Sequence, residues 1–359
     1  MAKPRVLHIA PQNFAGMPMD FTLMQRRTGY ESRLVTIFQN TLNFEEDITL
    51  GIKLPSGSLA SKWRNSKMEW AGSASRDLKY IKPKNTAENV YFVFRDLMNK
   101  FKIEDIIKKY DLDKFDIYHF DGGMDFYRDS RFAIEMKKRG KKIVCCYYGS
   151  DLRTRGIFKE LDDISDLNLT VEFDHIDLYK GINYLFFPFD VKKYEIKERN
   201  NPLIKIIHSP TNRKFKGTDK ILPIITEIEK ERRIEFMLIE NMDRNALLEL
   251  KQTCDLAIDQ VGGEMGGSGY GKNSIENLSM GIPTFTEFSE DYLEFIPENP
   301  FIHSTIDTLK QNLLSLIDNA QLRKDKITEG RNWVEKYHSF EAVNEKLEEL
   351  YRKHNIADV

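Results

Sequence analysis

The sequence predicts an α/β chain organised as two parallel-sheet domains with a helical C-terminus, and three observations carry this. Short apolar runs alternate with amphipathic stretches along both halves, the order of strand and helix that a parallel sheet wrapped by helices requires. The length, 359 residues, exceeds the size at which one core keeps growing, so two domains of roughly 150 to 200 residues are expected. Residues 186–203, FFPFDVKKYEIKERNNPL, hold two prolines and many charges with little periodicity, and read as the link between the halves.

In the first half the strands are RVLHIA, SRLVTIF, FDIYHF, KKIVCCYY and INYLFFP, with helical patterns such as DSRFAIEMKKRG between them. In the second they are IKIIHS, IEFMLIE, CDLAID and IPTFTE, separated by TDKILPIITEIEKE and MDRNALLELKQT. After Ile302 the pattern is helical to the end, through IDTLKQNLLSLID, RNWVEKYH and FEAVNEKLEELYRK. Neither a repeat of solenoid length nor a low-complexity tract is present.

Composition removes several function classes. With 54 basic against 56 acidic residues, net −2, nothing points to nucleic acid as the main partner. The three cysteines, two of them adjacent at Cys145 and Cys146, offer neither a disulfide framework nor a zinc spacing. They read as buried thiols of a reducing cytoplasm. No apolar run approaches the roughly 18 residues of a membrane span, so any membrane contact is expected to be peripheral. Trp63 and Trp70 with Lys62, Arg64 and Lys67, in Leu59–Trp70, suit an anionic membrane surface or a lipid-linked acceptor, or equally an ordinary amphipathic helix.

The stretch Asp259–Thr284, DQVGGEMGGSGYGKNSIENLSMGIPT, says most about chemistry. Seven glycines fall between Gly262 and Gly281. Residues without a Cβ let backbone amides approach a ligand closely, and a helix N-terminus just after them favours negative charge. That describes a seat for a phosphorylated ligand. Glu276, in the helix that follows, has two readings. Its carboxylate accepts from the hydroxyls of a ribose, or Asn273 to Glu276 form a capping box that needs no ligand. Upstream, Arg213, Lys214 and Lys216 precede a helix start, where cations can neutralise a departing diphosphate or simply form a solvated charged loop, Lys214 reading as surface.

Other rims are less specific. The turn after the first strand, up to Gly16, lacks the Gly-x-Gly-x-x-Gly spacing of a dinucleotide site. His119 and Asp121 end one strand, and Tyr148-Gly149-Ser150-Asp151-Leu152-Arg153 ends the next. Asp111-Leu112-Asp113 precedes a strand and reads as a loop, and the chain has neither a His-x-x-x-His helix nor a Gly-x-Ser-x-Gly elbow.

Taken together these motifs resemble the GT-B-fold glycosyltransferases of group 1, the retaining family 4. The run from Ser268 to Pro283, SGYGKNSIENLSMGIP, is similar to that family's acidic signature, with Glu276 in the second acidic position. Ser268 stands in the first, where the family has a glutamate, and Glu264 is the nearest substitute. Tyr148 stands where the family often has His, with His119 as its substitute. FPFDVKKY, GSDLR, CDLAIDQ and RNWVEKYHS also match.

The resemblance implies two Rossmann-like domains facing across a cleft: 1–188 binding acceptor, 189–335 binding nucleotide sugar, and 336–359 a helix packing back on the first. It implies Arg213, Lys216, Glu276, His119 and Asp151 as catalytic residues. Gly16, Tyr148, Glu264, Gly266, Gly267, Ser268, Gly269, Tyr270 and Gly271 are then substrate-binding. The expected reaction moves a sugar from a nucleoside diphosphate sugar to a carbohydrate or lipid-linked acceptor with retention, in the cytoplasm, with neither metal nor cofactor. A nucleotide-sugar-binding subunit without catalysis, or an epimerase on the same scaffold, are the alternatives.

Overall fold

Apolar runs rich in Val and Ile become the strands, because a parallel strand covered on both faces buries nearly every side chain. The computed structural model describes residues 3–39, 44–53, 80–81, 86–264 and 269–359; the Leu59–Trp70 stretch lies outside them. The chain divides into two units, Met1–Pro188 with Phe340–Val359, and Phe189–Ser339.

In the first unit β1 (Arg5–Ala10), β2 (Glu31–Phe38), β3 (Ile48–Ile52), β4 (Ile117–Asp121), β5 (Lys142–Tyr147), β6 (Leu167–Thr170) and β7 (Asn183–Tyr184) form one parallel sheet. Its order is β3-β2-β1-β4-β5-β6-β7, so the direction of winding reverses between β1 and β4. Leu7, Ile9, Val35, Tyr118, Phe120, Ile143 and Cys145 lie in its main core. The C-terminal helix Phe340–Lys353 belongs to this unit and packs on the helix Met17–Arg27. Thr28 Oγ1 donates to Asn344 Oδ1 at 3.0 Å, and Tyr30 Oη to Glu348 Oε1 at 2.9 Å. Arg27 lies over the Phe340 ring.

The second unit is a five-stranded parallel sheet of β8 (Ile204–His208), β9 (Ile234–Leu238), β10 (Leu256–Ile258), β11 (Thr284–Thr286) and β12 (Ile302–His303), in the order β12-β11-β10-β8-β9. Here the winding reverses between β8 and β10. Ile221, Ile225 and Ile228 of the helix Thr218–Glu231 meet Leu309, Leu313 and Leu316 of the helix Ile306–Asp318 in one core.

Two points differ from the sequence expectation. Strands β3, β6 and β12 were not foreseen, being short and weakly patterned. The segment expected as a link is built into the second unit from Phe189 onward. The Phe189 amide donates to His338 O at 2.7 Å, and the Phe189 ring stacks on Tyr194. Arg199 reaches the carbonyls of Gln252, Met280 and Gly281 at 3.1, 2.5 and 2.8 Å. Charge made this run look solvated, whereas its guanidinium closes open helix and turn carbonyls.

Candidate functional site

The loops beyond a reversal of strand order are where an open parallel sheet leaves room for a ligand. In the second unit this place lies past β8 and β10. After β8 the chain enters the short helix Arg213–Lys216, started by Asn212, whose side chain accepts from the amides of Lys214 and Phe215 at 3.0 and 3.2 Å. Gly217, with φ +70°, ends it.

The glycine loop after β10 lies directly on this turn. The Val261 amide reaches Lys216 O at 3.4 Å and the Glu264 amide reaches Lys214 O at 3.1 Å. A Cβ on Gly217 would sit 1.8 Å from Val261 O, and one on Gly263 would sit 1.9 Å from Phe215 O. Backbone touches backbone here, which only glycine permits. The basic turn and the start of the glycine loop are thus brought together.

Beneath them runs a buried polar network. Lys216 Nζ pairs with Asp259 Oδ1 at 2.8 Å; Asp259, at the end of β10, also accepts from Asn273 Nδ2 at 2.9 Å and Ser274 Oγ at 2.5 Å. Burial pushes the Asp259 carboxyl up, but Lys216 and these hydrogen bonds outweigh it and hold it at about 2. Asn273 Oδ1 in turn accepts from Lys251 Nζ at 2.5 Å and Ser209 Oγ at 3.2 Å. Lys251 is fully buried and pairs with Glu276 Oε2 at 2.9 Å, while Arg244 donates to Glu276 Oε1. Burial works against the Glu276 charge, yet Lys251 and Arg244 prevail and hold its carboxyl below the usual range.

This settles one of the two readings of Glu276. The helix Lys272–Ser279 is capped by Gly271 without a side-chain hydrogen bond, so the capping box, the alternative to a ribose contact, is absent. Arg213 sits at the surface, with Asp219 at 2.7 Å and Glu240 at 2.8 Å. Glu264 is exposed. Gly266, Gly267 and Ser268 lie outside the described residues.

Gly269, with φ +114°, packs so closely that a Cβ would fall 2.0 Å from the Tyr292 ring. Tyr270 is a core residue: its ring lies among Phe288, Tyr292, Phe301 and Trp333, and its hydroxyl meets His338 Nε2 at 2.9 Å. Tyr270, expected to contact substrate, is thus placed in the core of the second unit.

In the first unit, Gly16 has φ +74° and starts the helix Met17–Arg27 at the β1–β4 reversal. His119 is fully buried on β4, with Nε2 against the Tyr351 hydroxyl and Nδ1 without a partner. Asp151 accepts from the amides of Tyr148, Gly149 and Leu152, each at 2.8 Å. It fixes the turn after β5. His119 and Asp151, expected to act on a ligand, are thus placed as a buried ring and a turn-fixing carboxylate. The Tyr148 hydroxyl turns inward to Asp121 Oδ1 at 2.5 Å.

Asp121 also meets His8 Nδ1 at 2.9 Å, and His8 Nε2 faces Gln25 Oε1 at 2.9 Å. His8, His119 and Asp121 bring one ligand-type atom each within 4.8 Å of one another, the group among the described residues that could hold a metal ion. Their side chains are drawn into hydrogen bonds with Gln25, Tyr148 and Tyr351, which ties both sheet strands to the first and last helices.

Sequence reasoning missed Arg244, Lys251 and the bridging role of Asn273. Asp259 was visible only as the start of the glycine stretch and as part of CDLAIDQ, with no role assigned.

No family model matches the sequence, and no curated protein matches it. Solved structures do match its fold. HepE of Anabaena, crystallised with UDP, superposes with a TM-score of 0.56 at 9% identity, covering 97% of this chain and 100% of that one. The same protein with UDP-glucose gives 0.54 at 8% identity, over 97% and 99%. A UDP-N-acetylglucosamine 2-epimerase gives 0.52 at 12% identity, over 100% and 98%. The fold is therefore α/β of the GT-B class, with two Rossmann-like units.

Proposed function

We propose that the chain is a glycosyltransferase that moves a sugar from a nucleoside diphosphate donor to a carbohydrate or lipid-linked acceptor, with retention and without a metal. The observation that carries this is the glycine loop lying on the basic turn, over the Lys216–Asp259 and Lys251–Glu276 pairs. Lys216 and Arg213, turned from Asp259, Asp219 and Glu240, would supply positive charge to a leaving diphosphate. Glu276 is held ionised, and carboxylate oxygens carrying spare lone pairs can accept from ribose hydroxyls. The neighbours crystallised with UDP and UDP-glucose make uridine the base to test first.

An epimerase is the second reading, favoured by the whole-chain likeness to a UDP-N-acetylglucosamine 2-epimerase. The test is a thermal-shift panel of uridine, guanosine, adenosine and thymidine diphosphate sugars, followed by turnover with and without EDTA. Transfer or donor hydrolysis that survives EDTA, with the anomeric configuration kept, supports the proposal. Sugar isomerisation without acceptor selects the epimerase, and no stabilisation by any nucleotide sugar removes both.

A further inference from the structure

Where the winding of the first sheet reverses, the chain places an arginine without an acid. Gly122 and Gly123, just after β4, both take left-handed φ, +69° and +57°. A Cβ on Gly122 would lie 3.7 Å from Pro11, which follows β1, and 3.4 Å from Asp151 Oδ2, in the turn after β5. The ends of three strands therefore meet here. Arg155 closes the last of these turns. Its residues, Asp151–Arg155, are wound wider than an α-helix: the Gly156 amide donates to Asp151 O, five positions back, at 2.9 Å, a form frequent at functional sites. The guanidinium lies against the glycine turn, Nη2 donating to Gly122 O and Nε to Gly156 O at 3.5 Å.

Neighbouring arginines are neutralised in full. Arg153, two positions earlier, is clasped by Glu172 at 2.6 Å and Asp174 at 2.5 Å, and Arg199 spends all three nitrogens on carbonyls. Arg155 is partly buried, pairs with no carboxylate among the described residues and has no partner there for Nη1. The acid closest to hand, Asp151, is spent on the amides of Tyr148, Gly149 and Leu152. Burial lowers the Arg155 pKa against the pull of Asp151, which leaves a cation short of negative charge. An open guanidinium fork matches an oxyanion, and a reversal of strand order is where a sheet leaves room for one. We infer that Arg155 receives an oxyanion, phosphate or carboxylate, carried by the acceptor. This rests on the glycosyltransferase reading, in which the basic turn of the second unit already serves the diphosphate of the donor.

The test uses the full chain saturated with UDP, so that the second unit's seat for phosphate is filled, and measures binding of glucose 6-phosphate, glucuronate and glucose by titration calorimetry. The parent should bind one of the charged sugars at least about tenfold more tightly than glucose, and which one it is tells phosphate from carboxylate. Arg155→Met should erase that difference while the affinities for glucose and UDP stay as in the parent. Arg155→Lys, which keeps the charge and loses the fork, should recover part of it. Charged-sugar binding by Arg155→Met equal to the parent's overturns the inference, as does a parent that favours neither charged sugar over glucose. Loss of UDP affinity in Arg155→Met would assign the arginine to the donor and overturn it as well. If Arg155→Met does not fold, Arg155→Lys decides alone, and charged-sugar affinity equal to the parent's again overturns the inference. A parent that does not bind UDP counts against the proposed function, and the same comparison without nucleotide then decides on Arg155.

Discussion

Glu276 is the residue at which stability and binding can be pulled apart. Its charge holds Lys251, a fully buried ammonium whose other acceptor is Asn273. Removing one side of a buried pair costs about 3 to 5 kcal/mol, whereas replacing both sides with apolar groups is often neutral. Glu276→Gln should therefore lower the unfolding free energy by about 3 kcal/mol in a urea titration. Lys251→Met/Glu276→Leu should regain most of it. If the carboxylate also holds ribose, both variants lose UDP affinity in titration calorimetry. A double variant that regains stability and binds UDP like the parent would leave Glu276 a structural residue. The sequence pointed to Glu276 because it follows the glycines. Its partners were illegible: Lys251 sits in LLELKQT, where helical periodicity gives no sign that an ammonium will be buried beside a carboxylate 25 residues away.

Among elements, the glycine loop and basic turn were readable as types but not as neighbours. Density of glycine gave the first and three cations before a helix start gave the second. Their contact depends on β8 and β10 being adjacent in a sheet whose order differs from the chain order, which spacing does not encode. The same limit hid the core placement of Tyr270 and the turn-fixing bonds of Asp151, since a residue beside a glycine turn can serve core or ligand equally well. Two glycines of one loop test the contact. Gly263→Ala would place its Cβ 1.9 Å from the Phe215 carbonyl, whereas Gly271→Ala has nothing within 4 Å. The first substitution should separate loop from turn, costing about 1 to 3 kcal/mol and most of the UDP affinity. The second should change the melting point little. Equal melting points and equal affinities for the two variants would show that the loop does not depend on its seat on the basic turn.

For the whole molecule, the two sheets and their α/β alternation were legible in the apolar runs, while the pH response of each unit emerges only from the folded charge pattern. In the second unit the displaced carboxylates all move down. Asp259 is held at about 2 and Glu276 below its usual range, and burial keeps His208 below the ordinary imidazole value. A group whose folded pKa is depressed binds fewer protons when folded, so its contribution is complete above the unfolded pKa and drains as pH falls. For His208 draining begins below about pH 6.5, and for Asp259 below about pH 4. Asp259 alone accounts for about 2 kcal/mol, lost as the pH falls through about 2. The first unit mixes signs: burial raises Asp125 and Glu172 to about 7, contributions complete below about pH 4 and lost as pH rises through 7, while burial lowers His175 to about 4. Acid should therefore loosen the second unit by a route the first partly offsets. Trp333, buried in the second unit with Nε1 donating to Pro297 O at 2.8 Å, reports on it once Trp63 and Trp70, the other two tryptophans, are replaced by Phe. In that variant Trp333 emission should shift to the red between about pH 4 and about pH 2, and adding Asp259→Asn should lower stability at pH 7 and flatten the acid limb. Emission that holds steady down to pH 2, or an acid limb that Asp259→Asn leaves unchanged, would mean that the Lys216–Asp259 pair does not set the acid stability of this unit.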